Sequence, residues 1–377
     1  GGAGENSGRT VKDSRSMPGP KFSIIIPTRN GQRYLAEALQ SALAQTYSCF
    51  TIFVLESGSE DRTVDIVRSF NSDRIKLLPD PEPLGIEDNW ARILDLDLDE
   101  YMTILGHDDL LYPDFLQKIA DLIRAYPEAS LYQTHFDLIG PTGSILRRCK
   151  PIPLVQSADD FLLSRHTFTQ DSFATGYVMK SADYRAIGGF PAQLPRLIGA
   201  DDLAWYALSS LAYKVCSPDT CFGYRYHTDS TSYSIDLYTV YRAYRIYSAS
   251  LEQTAYFAQP EHRRAAHRYF QKSLNGRHHR LLVDLIKTGT PEHWRRYEQD
   301  KRRLLREVGE TPAFKVYDGL AKLLELIARL PVPLRRGLIG LIEWVGAVTQ
   351  RIRKGNSLRS IRARGSSDRP APFRKSD

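Results

Sequence analysis

Two adjacent carboxylates, Asp108 and Asp109, follow the apolar run Tyr101-Met102-Thr103-Ile104-Leu105. The run reads as a buried strand. A strand interior cannot hold two free charges without a large desolvation cost, so the pair belongs at the strand's mouth. Carboxylates there suit a hard divalent cation, Mg²⁺ or Mn²⁺, of the kind that bridges protein to a diphosphate. The bland alternative is a cap on the helix predicted at 114–125. Pro113-Asp114 fills that role better, and the metal reading is preferred. A second pair, Asp201-Asp202, opens a predicted helix at 203–213. One acidic residue suffices there as cap and dipole partner, which leaves the other for chemistry.

The elements around these pairs alternate. Phe22-Ser23-Ile24-Ile25-Ile26-Pro27 is a short buried strand stopped by proline, followed by helical spacing over 33–45. Thr51 to Leu55 is a second strand, and Ser57-Gly58-Ser59 turns into a helix at 61–70. A third strand at 74–78 and a helix at 87–97 lead to the fourth strand at 101–105. This order predicts an α/β fold with a mostly parallel central sheet and helices on both faces. Ligands bind such sheets beyond the carboxyl ends of the strands. Pro27-Thr28, Glu56-Ser57 and His107-Asp108-Asp109 all fall at those ends. Short strands at 130–134 and 223–226 extend the same domain to about residue 234. From 235 the pattern is helical and basic, with no convincing strand.

The net charge of +7 conceals an asymmetry. Residues 1–234 hold 22 Lys and Arg against 30 Asp and Glu, a net of −8, whereas residues 235–377 hold 29 against 14, a net of +15. A basic back half points to an anionic partner. The cysteines, Cys49, Cys149, Cys216 and Cys221, form no CxxC pair, so neither zinc nor a redox dithiol is indicated, and a reducing cytoplasm fits. Residues 1–20 are Gly- and Ser-rich and are set aside as a disordered leader, with Met17 as a native start. No apolar run approaches the roughly 20 residues of a membrane-spanning helix.

Six motifs in order resemble the family 2 inverting glycosyltransferases of the GT-A type. Ile24-Ile25-Ile26-Pro27-Thr28-Arg29-Asn30 looks like the family's opening, and Leu43-Ala44-Gln45-Thr46-Tyr47 like its next segment. Glu56 to Thr63 sits where the family has an Asp-rich nucleoside loop, here opened by Glu. Leu84-Gly85 with Asn89-Trp90 follows. His107-Asp108-Asp109 stands at the metal motif, with Gly106 or His107 where the family has its first Asp. Gly188-Gly189-Phe190 and Ala200-Asp201-Asp202 resemble acceptor-side segments. The resemblance spans residues 21–230.

That resemblance implies transfer of a sugar from a nucleotide diphosphate to a hydroxyl, with inversion, in building a bacterial-type surface glycan or glycolipid. The metal neutralises the leaving diphosphate and a carboxylate takes the acceptor's proton. It implies Asp202 as the base and Asp201 beside the acceptor. Asp108, Asp109 and His227 hold Mn²⁺ or Mg²⁺. Pro27, Thr28, Asn30, Glu56, Ser57, Asp88, Asn89 and Asp108 face the nucleotide. Thr28 and Asn30 also read as a turn after a strand, and Asp88-Asn89 as the start of a helix. Gly176 and Gly188-Gly189-Phe190 read equally well as the floor of an acceptor pocket and as a glycine turn. The donor expected is a UDP-sugar, with a dTDP-sugar second.

Beyond residue 235 helical spacing recurs in Val316, Leu320, Leu323, Leu324, Ile327 and Leu330, and again in Leu338, Leu341, Ile342, Val345 and Ile352. Arg335, Arg336, Arg351, Arg353 and Lys354 rim the second stretch, and Trp344 lies within it. The expectation is a helical region, 235–354, that lies on an anionic membrane surface. It would place the enzyme on the inner face of the cytoplasmic membrane, beside a lipid-linked acceptor. An amphipathic helix packed on the catalytic domain is the simpler alternative. Residues 355–377 read as a disordered basic tail. Two rival functions remain. A metal-dependent nucleotidyltransferase would need a Gly-rich basic phosphate loop, and Pro27 to Gly31 supplies one Gly and one Arg. A non-catalytic polyanion- or membrane-binding protein would act through the tail alone. No nucleic-acid partner is expected.

Overall fold

The computed structural model describes residues 19–227, 235–288 and 291–308, with isolated positions between 326 and 338. The first elements are β1 (Phe22–Thr28), α1 (Leu35–Leu43), β2 (Phe50–Ser57), α2 (Thr63–Ser69), β3 (Ile75–Asp80), α3 (Ile86–Ala91) and β4 (Tyr101–Ile104). Then come β5 (Leu110–Leu111), α4 (Phe115–Ala125), β6 (Leu131–Ile139), β7 (Ile145–Arg148), β8 (Val155–Gln156) and α5 (Ala158–His166). β9 (Tyr177–Lys180), α6 (Ser181–Ala186), α7 (Ala200–Leu211) and β10 (Lys214–Arg225) follow. The rest is helical: α8 (Leu237–Glu252), α9 (Ala255–Ala258), α10 (Pro260–Thr288) and α11 (Pro291–Val308).

The strands form one sheet in the order β3-β2-β1-β4-β9-β6-β10-β5, with β7 on β6 and β8 on β10. β1 pairs in parallel with β2 and β4, β2 with β3, and β6 with β10. β9 enters antiparallel between β4 and β6. The long strands therefore run one way and only β9 and the short edge pieces run against them. β1 is buried along its whole length, as befits a β-branched run covered on both faces. Phe22, Ile24 and Ile26 pack with Leu35, Leu39 and Ala42 of α1 and with Phe115, Leu116 and Ile119 of α4. Each such side chain contributes about 1.5–3 kcal/mol by leaving water.

The β1–β4 ladder ends at Ile25 opposite Ile104, while β1 stays paired with β2 to Thr28 opposite Glu56. Pro27 lies past the end of the β4 ladder, so a residue without an N–H is tolerated beside that edge. Between β1 and β4 the strand order reverses, which is where ligands enter doubly wound sheets. The turn that carries Asp108 and Asp109 follows β4 at that point.

Contacts divide the chain into two compact units, residues 1–270 and 271–377. The change to helix at residue 235 is thus a change of element type, and the first unit continues across it to Phe270. α8 buries Leu237, Tyr238, Val240, Tyr241, Tyr244, Tyr247 and Leu251. In the second unit Leu282, Leu285, Ile286, Tyr297 and Ile327 pack together. Most of the apolar spacing expected from Val316 to Ile352 lies outside the described residues, as do the leader and the tail at 355–377. Among the described residues no helix is long and apolar enough to cross a membrane. All four cysteines are free.

Candidate active site

Asp108 and Asp109 leave β4 in a tight turn and then part company. Asp109 is 2% exposed. Its Oδ1 accepts the Arg225 N–H at 2.7 Å and its Oδ2 accepts the Thr175 hydroxyl at 2.5 Å. Thr175 Oγ1 in turn accepts the Gly106 N–H at 2.9 Å. Asp109 thereby ties the β4 turn to β10 and to the segment before β9. Burial, and then the charge of Asp108, push its carboxyl well above the usual range. A carboxyl with both oxygens engaged and its charge disfavoured is a poor cation ligand. In this structure Asp109, expected as a metal ligand, braces the turn.

Asp108 faces the opening, with its side chain 24% exposed. His227 Nε2 donates to its Oδ2 at 2.8 Å. Burial alone would raise the Asp108 carboxyl, but the His227 hydrogen bond and the charges of His107 and His227 outweigh it and hold it low. A low carboxyl is anionic at neutral pH and ready for a cation. In the ligand-free pair Nε2 carries the shared proton, and a cation bound there would displace it and take the nitrogen and the Asp108 oxygen as ligands. Among the described residues no cluster of three or more His, Cys, Asp or Glu side chains could hold a metal unaided. Two protein ligands fit a cation whose remaining positions are filled by diphosphate oxygens and water.

Arg225 is the hub that sequence reasoning missed. It is 1% exposed, and its Nε donates to the Asp108 carbonyl at 2.6 Å. Nη1 reaches the Pro141 carbonyl and Nη2 reaches Glu37 at 2.7 Å. Its guanidinium lies over the Tyr34 ring at 4.5 Å, and His227 is a further neighbour of that ring, with centroids 5.0 Å apart. The only sequence cue was an Arg two residues before the candidate histidine.

The loops after β1 and β2 are stitched together. The Asn30 N–H donates to Ser59 Oγ at 2.9 Å, and Asn30 Oδ1 accepts the Glu60 N–H at 2.9 Å. The Gly31 N–H donates to Thr63 Oγ1 and the Gln32 N–H to Asp61 Oδ2. Asn30 takes φ +50°, a left-handed conformation that Asn tolerates. Glu56 is buried, and its Oε1 accepts the Ser59 N–H at 2.6 Å. Ser57 Oγ accepts the Leu84 N–H. Asn89 is turned inward: Nδ2 donates to the Leu55 carbonyl and Oδ1 accepts from Arg92. Asp88 is exposed beside it. The structure thus brings Thr28, Asn30, Glu56 and Ser57 into one cradle, in which Asn89 is a brace. Thr28 is 2% exposed, and its hydroxyl has no hydrogen-bond partner.

The second carboxylate pair also splits. α7 begins at Ala200 with Gly199 at its cap, so neither Asp201 nor Asp202 caps it. Asp114 likewise sits at the cap of α4 without a side-chain cap bond. Asp202 is 1% exposed. Its Oδ1 accepts from Arg165 Nε at 2.8 Å, and its Oδ2 lies within bonding distance of Arg165 Nη2 and the Tyr269 hydroxyl. Asp201 is more open. Burial, and then the charge of Asp202, push it up to about 7.

Three expected acceptor-pocket positions are closely packed. Gly176 has φ +86°, and a Cβ there would sit 2.3 Å from the Phe222 ring. Gly189 has φ +72° and lies against Leu94 and the Tyr184 hydroxyl. Phe190 is wedged between Trp90 and Trp205, with centroids 5.1 and 5.3 Å away.

A mostly parallel α/β sheet with a carboxylate–histidine pair at its switch point defines a GT-A-type fold. Residues 23–181 match the family described as glycosyl transferase family 2, and the chain carries a domain of that family. A putative glycosyltransferase of Bacillus subtilis, EpsE, is 26% identical over 294 residues, 73% of this chain and 99% of that protein. An uncharacterized glycosyltransferase of Rickettsia typhi is 39% identical over 105 residues, 28% of this chain. The chain covers only 32% of that relative's length. TarS of S. aureus, residues 1–349 in complex with UDP-GlcNAc, superposes with a TM-score of 0.53 at 17% identity, over 77% of this chain and 82% of that one. That likeness is one of fold.

Proposed function

We propose that this glycosyltransferase moves a sugar from a nucleotide diphosphate to a hydroxyl, with inversion at the anomeric carbon. The observation that carries the reading is the Asp108–His227 pair at the β1/β4 switch point. Asp108 and His227 would hold Mg²⁺ or Mn²⁺, which supplies Lewis-acid neutralisation of the leaving diphosphate. Asp201 takes the proton of the acceptor hydroxyl, the oxygen attacks the anomeric carbon from the opposite face, and the bond to the diphosphate breaks. This moves the base from Asp202, expected from family resemblance, to its neighbour. Asp202 has both oxygens engaged by Arg165 and Tyr269, whereas a carboxyl at about 7 is matched to proton transfer at neutral pH.

Thr28, Asn30, Glu56 and Ser57 form the nucleoside cradle, with Asp88 at its rim. A UDP-sugar is the donor favoured, consistent with the UDP-GlcNAc held by TarS, and a dTDP-sugar is second. The acceptor is a glycan or lipid-linked hydroxyl at an anionic, cytoplasm-facing membrane surface, reached through the basic half of the chain. The net +15 of residues 235–377 supports that placement. Release of nucleotide from a panel of UDP-, dTDP- and GDP-sugars, with and without Mn²⁺, tests the reading. Metal-stimulated release from one class is expected. No release from any donor would refute it.

A further inference from the structure

The nucleotide reading leaves one group beside the site without a task. Tyr34 occupies the cap position of α1, just after the β1 turn. It is 5% exposed, and its hydroxyl has no hydrogen-bond partner. Its near neighbour His227 is 8% exposed; Nε2 is bonded to Asp108, while Nδ1 is likewise unpartnered. Thr28 Oγ1 completes a set of three buried polar atoms without partners. The Tyr34 and His227 rings are neighbours, with centroids 5.0 Å apart. A Cβ on Gly31 would lie 2.6 Å from Thr28 Oγ1 and 3.4 Å from the His107 ring, and the Tyr34 N–H bonds to the Gly31 carbonyl.

A buried hydroxyl without a partner loses its hydration and gains nothing in return, so a native chain keeps one where a ligand completes it. The surroundings specify the charge of that ligand. The Tyr34 ring carries the Arg225 guanidinium at 4.5 Å and the Arg33 guanidinium at 4.9 Å. His227, paired with Asp108, lies against the same Tyr34 ring. A hydroxyl donor set among cationic groups at a sheet switch point suits phosphate oxygens.

We propose that Tyr34 is a diphosphate-positioning residue: its hydroxyl donates a hydrogen bond to the leaving diphosphate of the donor nucleotide, beside His227. The proposal rests on the nucleotide-sugar reading and adds to it the group that holds the phosphates on the α1 side. Tyr34→Phe removes one oxygen and keeps the ring between His227 and Arg225. It deletes an unpartnered buried polar atom, so thermal stability of the ligand-free chain stays level or rises.

The test is calorimetric titration of the full chain and of Tyr34→Phe with UDP, UMP and uridine, in Mn²⁺, alongside the melting temperature of each. Expected is a fall of about tenfold or more in UDP affinity, the size of one charge-assisted hydrogen bond, with uridine affinity unchanged. Equal UDP affinity in the two proteins overturns the proposal, and so does a parallel loss for UDP and uridine, which would mark a structural role. A wild-type chain that binds no UDP, dTDP or GDP overturns the nucleotide reading itself, a separate result.

Discussion

At the scale of single residues, each adjacent carboxylate pair holds one anchored and one available group. In the proposed reaction Asp109 and Asp202 brace the fold, Asp108 holds the cation and Asp201 takes the proton. If Asp201 is the base, kcat/KM rises with pH through about 7, because the carboxyl must lose its proton to act. Asp201→Asn should abolish transfer and keep donor binding. Asp202→Asn should lower stability by breaking a buried ion pair with Arg165, by about 3 kcal/mol, while the folded fraction still turns over. Rates per folded molecule for the two variants distinguish the roles, and full activity in Asp201→Asn would return the base to Asp202. The same carboxyl has a linkage consequence. Its folded pKa lies above the ordinary value of 3.8, so its stabilising contribution is complete below about 4 and is lost as pH rises toward 7. Asp109, also raised, acts in the same direction. Asp109→Asn, which keeps an acceptor for the Arg225 N–H, should cost little. Asp109→Ala strands that N–H and the Thr175 hydroxyl and should cost about 1–3 kcal/mol in chemical denaturation.

At the scale of elements, the first half of the sheet could be read from the chain. β1, β2 and β4 announce themselves because a strand covered on both faces must be a continuous apolar run, and each is closed by polar residues at its carboxyl end. The second half resisted for physical reasons. β9 is four residues long, and its partners lie on strands far away in sequence. α5, Ala158–His166, has three charged residues and no clean apolar stripe; it is held by a Ser157 cap and by Phe161, Leu162 and His166. The site followed the same division. Asp108 and the strand-end cradle were legible from position. The ion pair of Arg165 with Asp202 was not, because it joins α5 to α7 across 37 residues. Gly176 shows how a packing role resembles a functional one. Its left-handed φ and the Phe222 ring 2.3 Å from any added Cβ leave no room for a side chain. Gly176→Ala is expected to destabilise by about 3 kcal/mol, combining overpacking with left-handed strain, which urea denaturation would measure.

At the scale of the whole molecule, an acidic front half carries the site and a strongly basic back half carries the charge. In the proposed reading an anionic surface would hold the basic half. Binding of the full chain to vesicles containing anionic lipid should therefore weaken steeply as salt rises from 50 to 500 mM, roughly as screening shortens the reach of each charge. Sedimentation with vesicles gives the answer, and no binding at low salt would remove the membrane from the account. The central claim, that Asp108 and His227 hold a cation against a nucleotide diphosphate, is tested most directly by UDP affinity with and without Mn²⁺ in the full chain and in Asp108→Asn. The account predicts at least tenfold tighter UDP binding in Mn²⁺ for the native chain and no Mn²⁺ effect in Asp108→Asn. UDP binding indifferent to Mn²⁺ in the native chain, or a Mn²⁺ effect that survives in Asp108→Asn, would contradict it.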